Sequence, residues 1–243
     1  MFFHFVKYKL DTIKLKTKLF AGSKRGTLFA AFLRAVSYIA IQGEIPMINS
    51  FNLFRREADT SFGWNLILVN DDYRIPRNYE VELTELSNGE KVDSRIYPQL
   101  QQMFDDARTE GLELFVREGY RTTQNQKNIM NERIQKYQDE GYSRWEAKER
   151  AEEYVAEPGT SEHELGIAVD INADTSKCSA DAVYTWLANN AYKYGFIKRY
   201  PDDKTEITGV NNEPWHYRYV GVDSAIEMQE KGLCLEEYIE SLR

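Results

Sequence analysis

Residues that carry nucleophilic or metal chemistry are scarce in this sequence. Its 243 residues include three histidines, His4, His163 and His216, and two cysteines, Cys178 and Cys234. The cysteines are far apart and match no metal-ligand spacing, so two ordinary free or buried thiols are predicted, with a disulfide between them as the alternative. They do not decide the redox compartment.

Signatures of several other protein classes are also missing. There is no Gly-rich phosphate loop and no Gly-x-Ser-x-Gly, and neither cysteine lies in a recognisable nucleophile context. If His163 and His216 both bind a metal, no histidine of the C-terminal part remains to activate a serine or cysteine nucleophile. A net charge of −8 disfavours nucleic acid as a partner, because an acidic domain repels phosphate.

The charge is unevenly distributed along the chain. Residues 1–45 carry eight Lys and Arg against two Asp and Glu, a net +6, whereas the remainder carries 23 basic and 37 acidic residues, a net −14. Basic residues precede an apolar run over 27–41, which is the order of a secretory signal or signal anchor. Arg34 weakens this interpretation, because a charge at the membrane centre costs about 2.5–3.5 kcal/mol.

Because of this order of basic and apolar residues, we expect residues 1–45 to be an export or anchor segment that attaches the protein to a membrane. A spacer is expected to follow over 46–63. An amphipathic or disordered arm is the alternative, since no small-x-small cleavage site follows Ile41. Residues 64–243 are long enough to form one domain with a sizeable core. Aromatic residues make up 13% of the chain, which argues against disorder over most of its length.

Hydrophobic periodicity predicts an α+β domain with a small, mainly antiparallel sheet and flanking helices. The predicted strands are Trp64–Asn70, Leu112–Val116, Leu165–Ile171 and Trp215–Val220. The predicted helices are Val92–Thr109, Thr123–Glu140, Ser143–Ala156, Ala180–Tyr194 and Ser224–Lys231, the third opened by a Ser-x-x-Glu capping box.

Two short motifs gather the residues with metal chemistry. The stretch Ser161–Asp170 contains His163 and Asp170, and Glu213-Pro214-Trp215-His216 follows later. Two neutral imidazoles and one carboxylate suit a catalytic zinc ion and leave one position open for water. We predict that His163, Asp170 and His216 bind one Zn²⁺ at the sheet. A purely structural zinc site predicts a fourth protein ligand, and the sequence offers no Cys or His for it.

Glu213 is the predicted general base of this site. It lies three residues before His216 and, in an extended segment, reaches the water without binding the metal. It is expected to accept the water proton and pass it to the departing amine. By contrast, Glu162 and Glu164, in an extended segment, are expected to point away from the side chain of His163.

Ser-x-His-x-x-Gly-x-Ala-x-Asp followed by Glu-Pro-Trp-His resembles the VanY-type D-alanyl-D-alanine carboxypeptidase family, zinc peptidases of cell-wall metabolism. The similarity extends from about Trp64 to the C-terminus and includes Gly119-Tyr120-Arg121. The group also contains L,D-carboxypeptidases. The family often has Ser before Gly-Tyr-Arg, whereas this chain has Glu118, a departure that bears on substrate preference.

The resemblance implies a zinc-dependent carboxypeptidase that removes a terminal D-alanine from peptidoglycan stem peptides outside the bacterial cytoplasm. The alternatives are an L,D-carboxypeptidase acting on tetrapeptide stems and a non-catalytic cell-wall binding module. A monomer is expected.

The resemblance also implies roles for three side chains beyond the metal set. Arg121 binds the substrate carboxylate or stabilises the oxyanion, Ser161 hydrogen-bonds substrate, and Gln126 binds the peptide stem. The plainer alternatives are a surface or salt-bridged Arg, a structural cap or turn role for the Ser, and a helix-surface Gln.

Overall fold

The computed structural model describes residues 55–243. The predicted export or anchor segment lies outside the described residues and stays a prediction. Within residues 55–243, no helix combines the length and apolar character needed to cross a membrane.

A four-stranded antiparallel sheet in the order β5-β6-β8-β7 forms the centre of the domain. Two small pairs accompany it, the parallel β1-β2 and the antiparallel β3-β4. The strands are β1 Arg56–Glu57, β2 Tyr73–Arg74, β3 Leu83–Glu85, β4 Lys91–Asp93, β5 Leu114–Glu118, β6 Ala168–Ala173, β7 Phe196–Lys198 and β8 His216–Tyr219. Strand β1 lies inside the predicted spacer, so the folded unit takes in residues before Trp64.

Helices pack against this sheet and contribute to its hydrophobic core. In the described part of the chain they are α1 Tyr97–Thr109, α2 Thr123–Asp139, α3 Arg144–Glu152, α4 Ala180–Asn190, α5 Thr205–Thr208, α6 Val222–Lys231 and α7 Leu235–Ser241. Short 3-10 turns lie at Trp64–Leu66, Glu162–Leu165, Ala191–Tyr194 and Asp202–Lys204. The predicted capping box of α3 is confirmed: Ser143 accepts from the backbone of Glu146, whose side chain returns the bond.

Strand β6 separates the core from the site. Val169 and Ile171 are fully buried in the main hydrophobic cluster with side chains from α1 and α4. Because successive strand residues point to opposite faces, Asp170 between them points away from that core. The alternation therefore leaves the carboxylate of Asp170 on the face where the other polar groups of the site gather.

The predicted strand at Trp64–Asn70 is wrong. Its first residues form a 3-10 turn, and the guanidinium of Arg218 donates from Nη2 to the carbonyls of Asn65 and Ile67, at 3.1 and 2.8 Å. A buried cation thus takes the backbone acceptors that a partner strand would have used. The apolar run still enters the core, where Ile67 and Val69 are buried.

Other boundaries differ because polar groups interrupt the periodic pattern. The helix predicted from Val92 begins at Tyr97, since Val92 belongs to β4 and the next turn is fixed by Asp93 accepting from the backbone of Arg95. The helix predicted to reach Ala156 ends at Glu152; the carbonyl of Ala156 accepts from Gln126 instead.

Strands β1, β2, β4 and β7 and helices α5 and α7 were not predicted. The other predicted strands and helices are confirmed to within a few residues. Cys178 and Cys234 are both free thiols, as predicted.

Candidate active site

The three predicted metal ligands lie together. Strands β6 and β8 pair in antiparallel register with Asp170 opposite His216, and the 3-10 turn before β6 supplies His163. One ligand atom from each of the three lies within 4.8 Å of the others. The two imidazole rings are nearly perpendicular, at 86°, with centroids 4.9 Å apart.

The free atoms of this cluster fit a metal ion. Oδ1 of Asp170 is buried and has no hydrogen-bond partner, and it lies 3.4 Å from Nε2 of His163 and 3.1 Å from Nδ1 of His216. The Nδ1 atom of His163 is 2.8 Å from the carbonyl of Gly119, which leaves Nε2 free. Two imidazole nitrogens and one carboxylate oxygen converge, which is the protein share of an open zinc site.

The charge of the cluster also favours a cation. Burial would raise the pKa of Asp170, but the two neighbouring histidines outweigh it and hold that pKa well below its usual range. Burial favours the neutral ring of His216, yet the carboxylates of Asp170 and Glu162 prevail and raise its pKa to about 9. The site therefore presents ionised carboxylates to any positive charge placed between them.

Glu213 lies beside the ligand set. Its Oε2 is 3.7 Å from Nδ1 of His216, and burial raises the pKa of its carboxyl group. The predicted extended segment is wrong: residues 213–216 form a turn in which the backbone N–H of His216 donates to the carbonyl of Glu213 at 3.3 Å. This turn, with Pro214 inside it, brings the carboxylate back towards the metal-binding face.

Arg121 is fixed by two side chains. Its Nε donates to Glu118 at 2.7 Å, its Nη1 donates to Gln126 at 3.2 Å, and its Nη2 lies 3.9 Å from Oδ2 of Asp170. Gln126 is 1% exposed and also donates to the carbonyl of Ala156 at 2.7 Å, so the helix-surface alternative for this residue is wrong. The guanidinium is held with one nitrogen aimed at the ligand set.

Gly119 connects the arginine loop to the histidine turn. A Cβ atom at this position would lie 2.2 Å from the carbonyl oxygen of Lys91, so only glycine fits. The backbone N–H of Tyr120 donates to the same carbonyl, and that of Arg121 donates to the carbonyl of His163 at 3.1 Å. These contacts explain why glycine precedes Tyr120-Arg121.

Ser161 lies at the entrance of the histidine turn and is 4% exposed. Its side chain makes no capping hydrogen bond to the turn, whose first backbone bond goes instead from Glu164 N–H to the Ser161 carbonyl. A side-chain cap by Ser161 is therefore wrong, whereas its backbone carbonyl does take part in the turn; its contact with substrate stays a prediction.

Three residues near the site were missed from the sequence. The extended segment assumed for Glu162 is wrong, because Glu162–Leu165 form a 3-10 turn, and Oε2 of Glu162 lies 3.6 Å from Nε2 of His216. Tyr200 packs against the same imidazole with ring centroids 5.0 Å apart, and Arg199 donates to Glu162 at 2.8 Å. The sequence signal that could have pointed to Arg199 and Tyr200 was the motif Arg199-Tyr200-Pro201, but the motif alone does not indicate a function for these residues.

Comparisons with known proteins show what this chain is similar to. The family model described as VanY, D-alanyl-D-alanine carboxypeptidase, matches residues 89–222. A D-alanyl-D-alanine carboxypeptidase of Enterococcus faecalis (strain ATCC 700802 / V583) is 53% identical over 196 residues, which cover 81% of this chain and 73% of that protein.

Two solved structures are similar over nearly their whole length. One is a variant of the vancomycin resistance D,D-pentapeptidase VanY from a VanB-type resistance cassette in complex with Zn(II), at 57% identity and a TM-score of 0.71, covering 72% of this chain and 99% of that one. The other is VanYB in complex with D-alanine-D-alanine, at 56% identity and a TM-score of 0.73, covering 74% and 99%. The predicted fold class is confirmed.

Proposed function

The chain belongs to the VanY family of D-alanyl-D-alanine carboxypeptidases, and we propose that it is a zinc-dependent enzyme that removes the terminal D-alanine from peptidoglycan stem peptides. The convergence of His163, Asp170 and His216, with one buried carboxylate oxygen lacking any partner, is the observation that carries this proposal. The substrate and the metal follow from the relatives, one solved with Zn(II) and one with D-alanine-D-alanine.

His163, Asp170 and His216 would hold the zinc ion, which would act as a Lewis acid and make a water molecule nucleophilic towards a peptide carbonyl. Glu213 then accepts a proton from the attacking water on its carboxylate. It later delivers that proton to the nitrogen of the departing D-alanine, so the bond broken is the terminal peptide bond and the proton balance closes. A carboxyl group whose pKa is raised by burial suits both halves of this transfer.

Arg121 is proposed to stabilise negative charge on the substrate carbonyl oxygen. Its Nε and Nη1 are engaged by Glu118 and Gln126, whereas Nη2 lies closest to the ligand set. The nearness of Nη2 to the ligand set, where the reacting carbonyl would lie, favours the oxyanion role.

A stem-peptide substrate lies outside the cytoplasmic membrane, so the enzyme acts there. Membrane attachment through residues 1–45 and a monomeric state are part of the proposal and rest on the sequence alone. Cleavage of tetrapeptide stems by the same catalytic set is the alternative that shares this site.

Glu213→Ala tests the proposal. The variant is expected to retain zinc, because Glu213 is not among the three converging ligands, and to lose about 10²–10⁴-fold in turnover. Zinc content and D-alanine release are measured together, on defined penta- and tetrapeptides. Normal hydrolysis by the variant would refute the role of Glu213, and release from the tetrapeptide alone would replace the D,D-assignment by L,D.

A further inference from the structure

Glu162 is the most enclosed carboxylate near the site. Its side chain is 0% exposed, and its Oε2 has no hydrogen-bond partner. Nε2 of His216 lies 3.6 Å from this oxygen and is also buried and without a hydrogen-bond partner. A buried donor and a buried acceptor, each unsatisfied, therefore face one another on the side of the imidazole away from Asp170.

The other oxygen of Glu162 is fully used. Its Oε1 accepts from Nε of Arg199 and from Nη1 of Arg218, both at 2.8 Å, and both arginine side chains are 0% exposed. Arg199 in turn binds Glu236 of α7, and Arg218 binds backbone carbonyls before β2. Two carboxylates balance two guanidiniums, and the network fixes the plane of the Glu162 carboxylate.

We propose that Glu162 is a positioning residue for the metal site: it accepts the Nε2 proton of His216 and so directs the lone pair of Nδ1 at the metal. The inference rests on the proposed role of His216 as a metal ligand. The 3.6 Å separation exceeds an ordinary N–H···O distance by about 0.6 Å, which a small rotation of the ring closes.

The two histidines are then held in opposite tautomers. His163 donates from Nδ1 to a backbone carbonyl at Gly119 and ligates through Nε2, whereas His216 donates from Nε2 to a carboxylate and ligates through Nδ1. A carboxylate partner raises the basicity of its imidazole more than a carbonyl does, so His216 is the stronger nitrogen donor of the pair.

The competing explanation is that Glu162 has a structural role alone and only neutralises Arg199 and Arg218. Glu236→Gln is the matched control for the effect of Glu162→Gln. Glu236 is the second carboxylate of the same network and contacts Arg199 but not His216. Glu162→Gln keeps the shape of the side chain, yet its amide cannot satisfy both arginines and also accept from Nε2.

Zinc affinity is measured by chelator competition on the parent and both variants, with circular dichroism to verify folding. Glu162→Gln is expected to lose about 10–100-fold in affinity, and Glu236→Gln less than about threefold. The absorption bands of the cobalt-substituted Glu162→Gln protein are expected to shift. A folded Glu162→Gln protein with parental zinc affinity and parental cobalt bands overturns the inference.

A second measurement needs no variant and keeps the inference testable if Glu162→Gln does not fold. With three histidines in the chain, a long-range ¹H–¹⁵N spectrum of the zinc-loaded parent resolves each ring. His216 is expected to carry its proton on Nε2 and His163 on Nδ1; zinc on Nε2 of His216 overturns the inference. If the parent protein did not bind zinc at all, the proposed function would be refuted. That result is distinguishable from both outcomes of the tautomer measurement.

Discussion

Replacing Gly119 by alanine is expected to lower both stability and zinc affinity, although Gly119 is not one of the proposed metal ligands. The added Cβ would lie 2.2 Å from the carbonyl oxygen of Lys91, whereas ordinary contacts begin near 3.4 Å, so the two segments must separate by about 1 Å. The same carbonyl accepts from the backbone N–H of Tyr120, and the carbonyl of Gly119 accepts from His163. One methyl group therefore disturbs the pairing of β4 with the arginine loop and the orientation of one ligand.

The magnitude follows from these contacts. Overpacking costs about 1–3 kcal/mol and a weakened hydrogen bond about 1 kcal/mol, for a total of roughly 2–4 kcal/mol of unfolding free energy. For a chain of this size that lowers Tm by roughly 5–15 °C. Zinc affinity is expected to fall by about 10–100-fold, because the orienting partner of a ligating histidine is displaced.

Thermal unfolding with and without zinc, together with a chelator titration, measures both quantities. Gly111→Ala is the control: a Cβ there meets nothing within 4 Å, and its φ of 80° strains the backbone alone. It is expected to cost about 1 kcal/mol and to leave zinc affinity unchanged. If Gly119→Ala kept the parental Tm and zinc affinity, the packing argument for this loop would be refuted.

Three more expectations follow from the described residues. Chelation of zinc is expected to lower Tm by about 10 °C, reversed by zinc addition, since a ligand present at ~1,000 times its Kd contributes about 4 kcal/mol; no change would contradict metal binding. Glu118→Gln weakens the 2.7 Å ion pair that orients Arg121 and is expected to lower kcat/KM about tenfold without changing zinc content; unchanged kcat/KM would contradict the orienting role. Burial, and after it the contact with Glu157, raises the pKa of the Glu152 carboxyl group to about 7. The protonated carboxyl group therefore stabilises the fold fully below its ordinary pKa, and this stabilisation is lost as the pH rises through 7. Glu152→Gln is therefore expected to raise Tm by about 2–4 °C at pH 8 and to change it little at pH 5, a difference reduced by the partial exposure of the side chain; equal effects at both pH values would refute it.

The convergence of His163, Asp170 and His216 could be predicted from the sequence because short motifs contain all three residues. Two histidines and one aspartate in short motifs have few alternative uses when no other histidine is near, and strand pairing then sets Asp170 opposite His216. Glu213 was predicted on the wrong backbone, a strand instead of a turn, and still lies beside the set because three residues separate it from His216.

Helices with a capping box or a glycine stop were predicted for the same local reason. The left-handed φ of Gly195, at 85°, ends the 3-10 turn that extends α4, as the sequence indicates. The strand predicted at Trp64–Asn70 failed because its acceptors are used by Arg218, a residue over 150 positions later. Hydrophobic periodicity indicates which residues are buried, but it does not indicate which distant side chain will donate a hydrogen bond to a backbone carbonyl.

Glu162 illustrates the same limit within the site. Whether it points towards or away from His216 depends on the backbone between Ser161 and Gly166: an extended strand sends neighbours of His163 to the opposite face, whereas a 3-10 turn rotates each residue by about 120°. The turn is closed by Gly166 at φ 74°, where a Cβ would meet Val81 and the backbone of Asp93. It is this turn, and not an extended strand, that places Glu162 against Arg199 and Arg218 with its second oxygen facing Nε2 of His216.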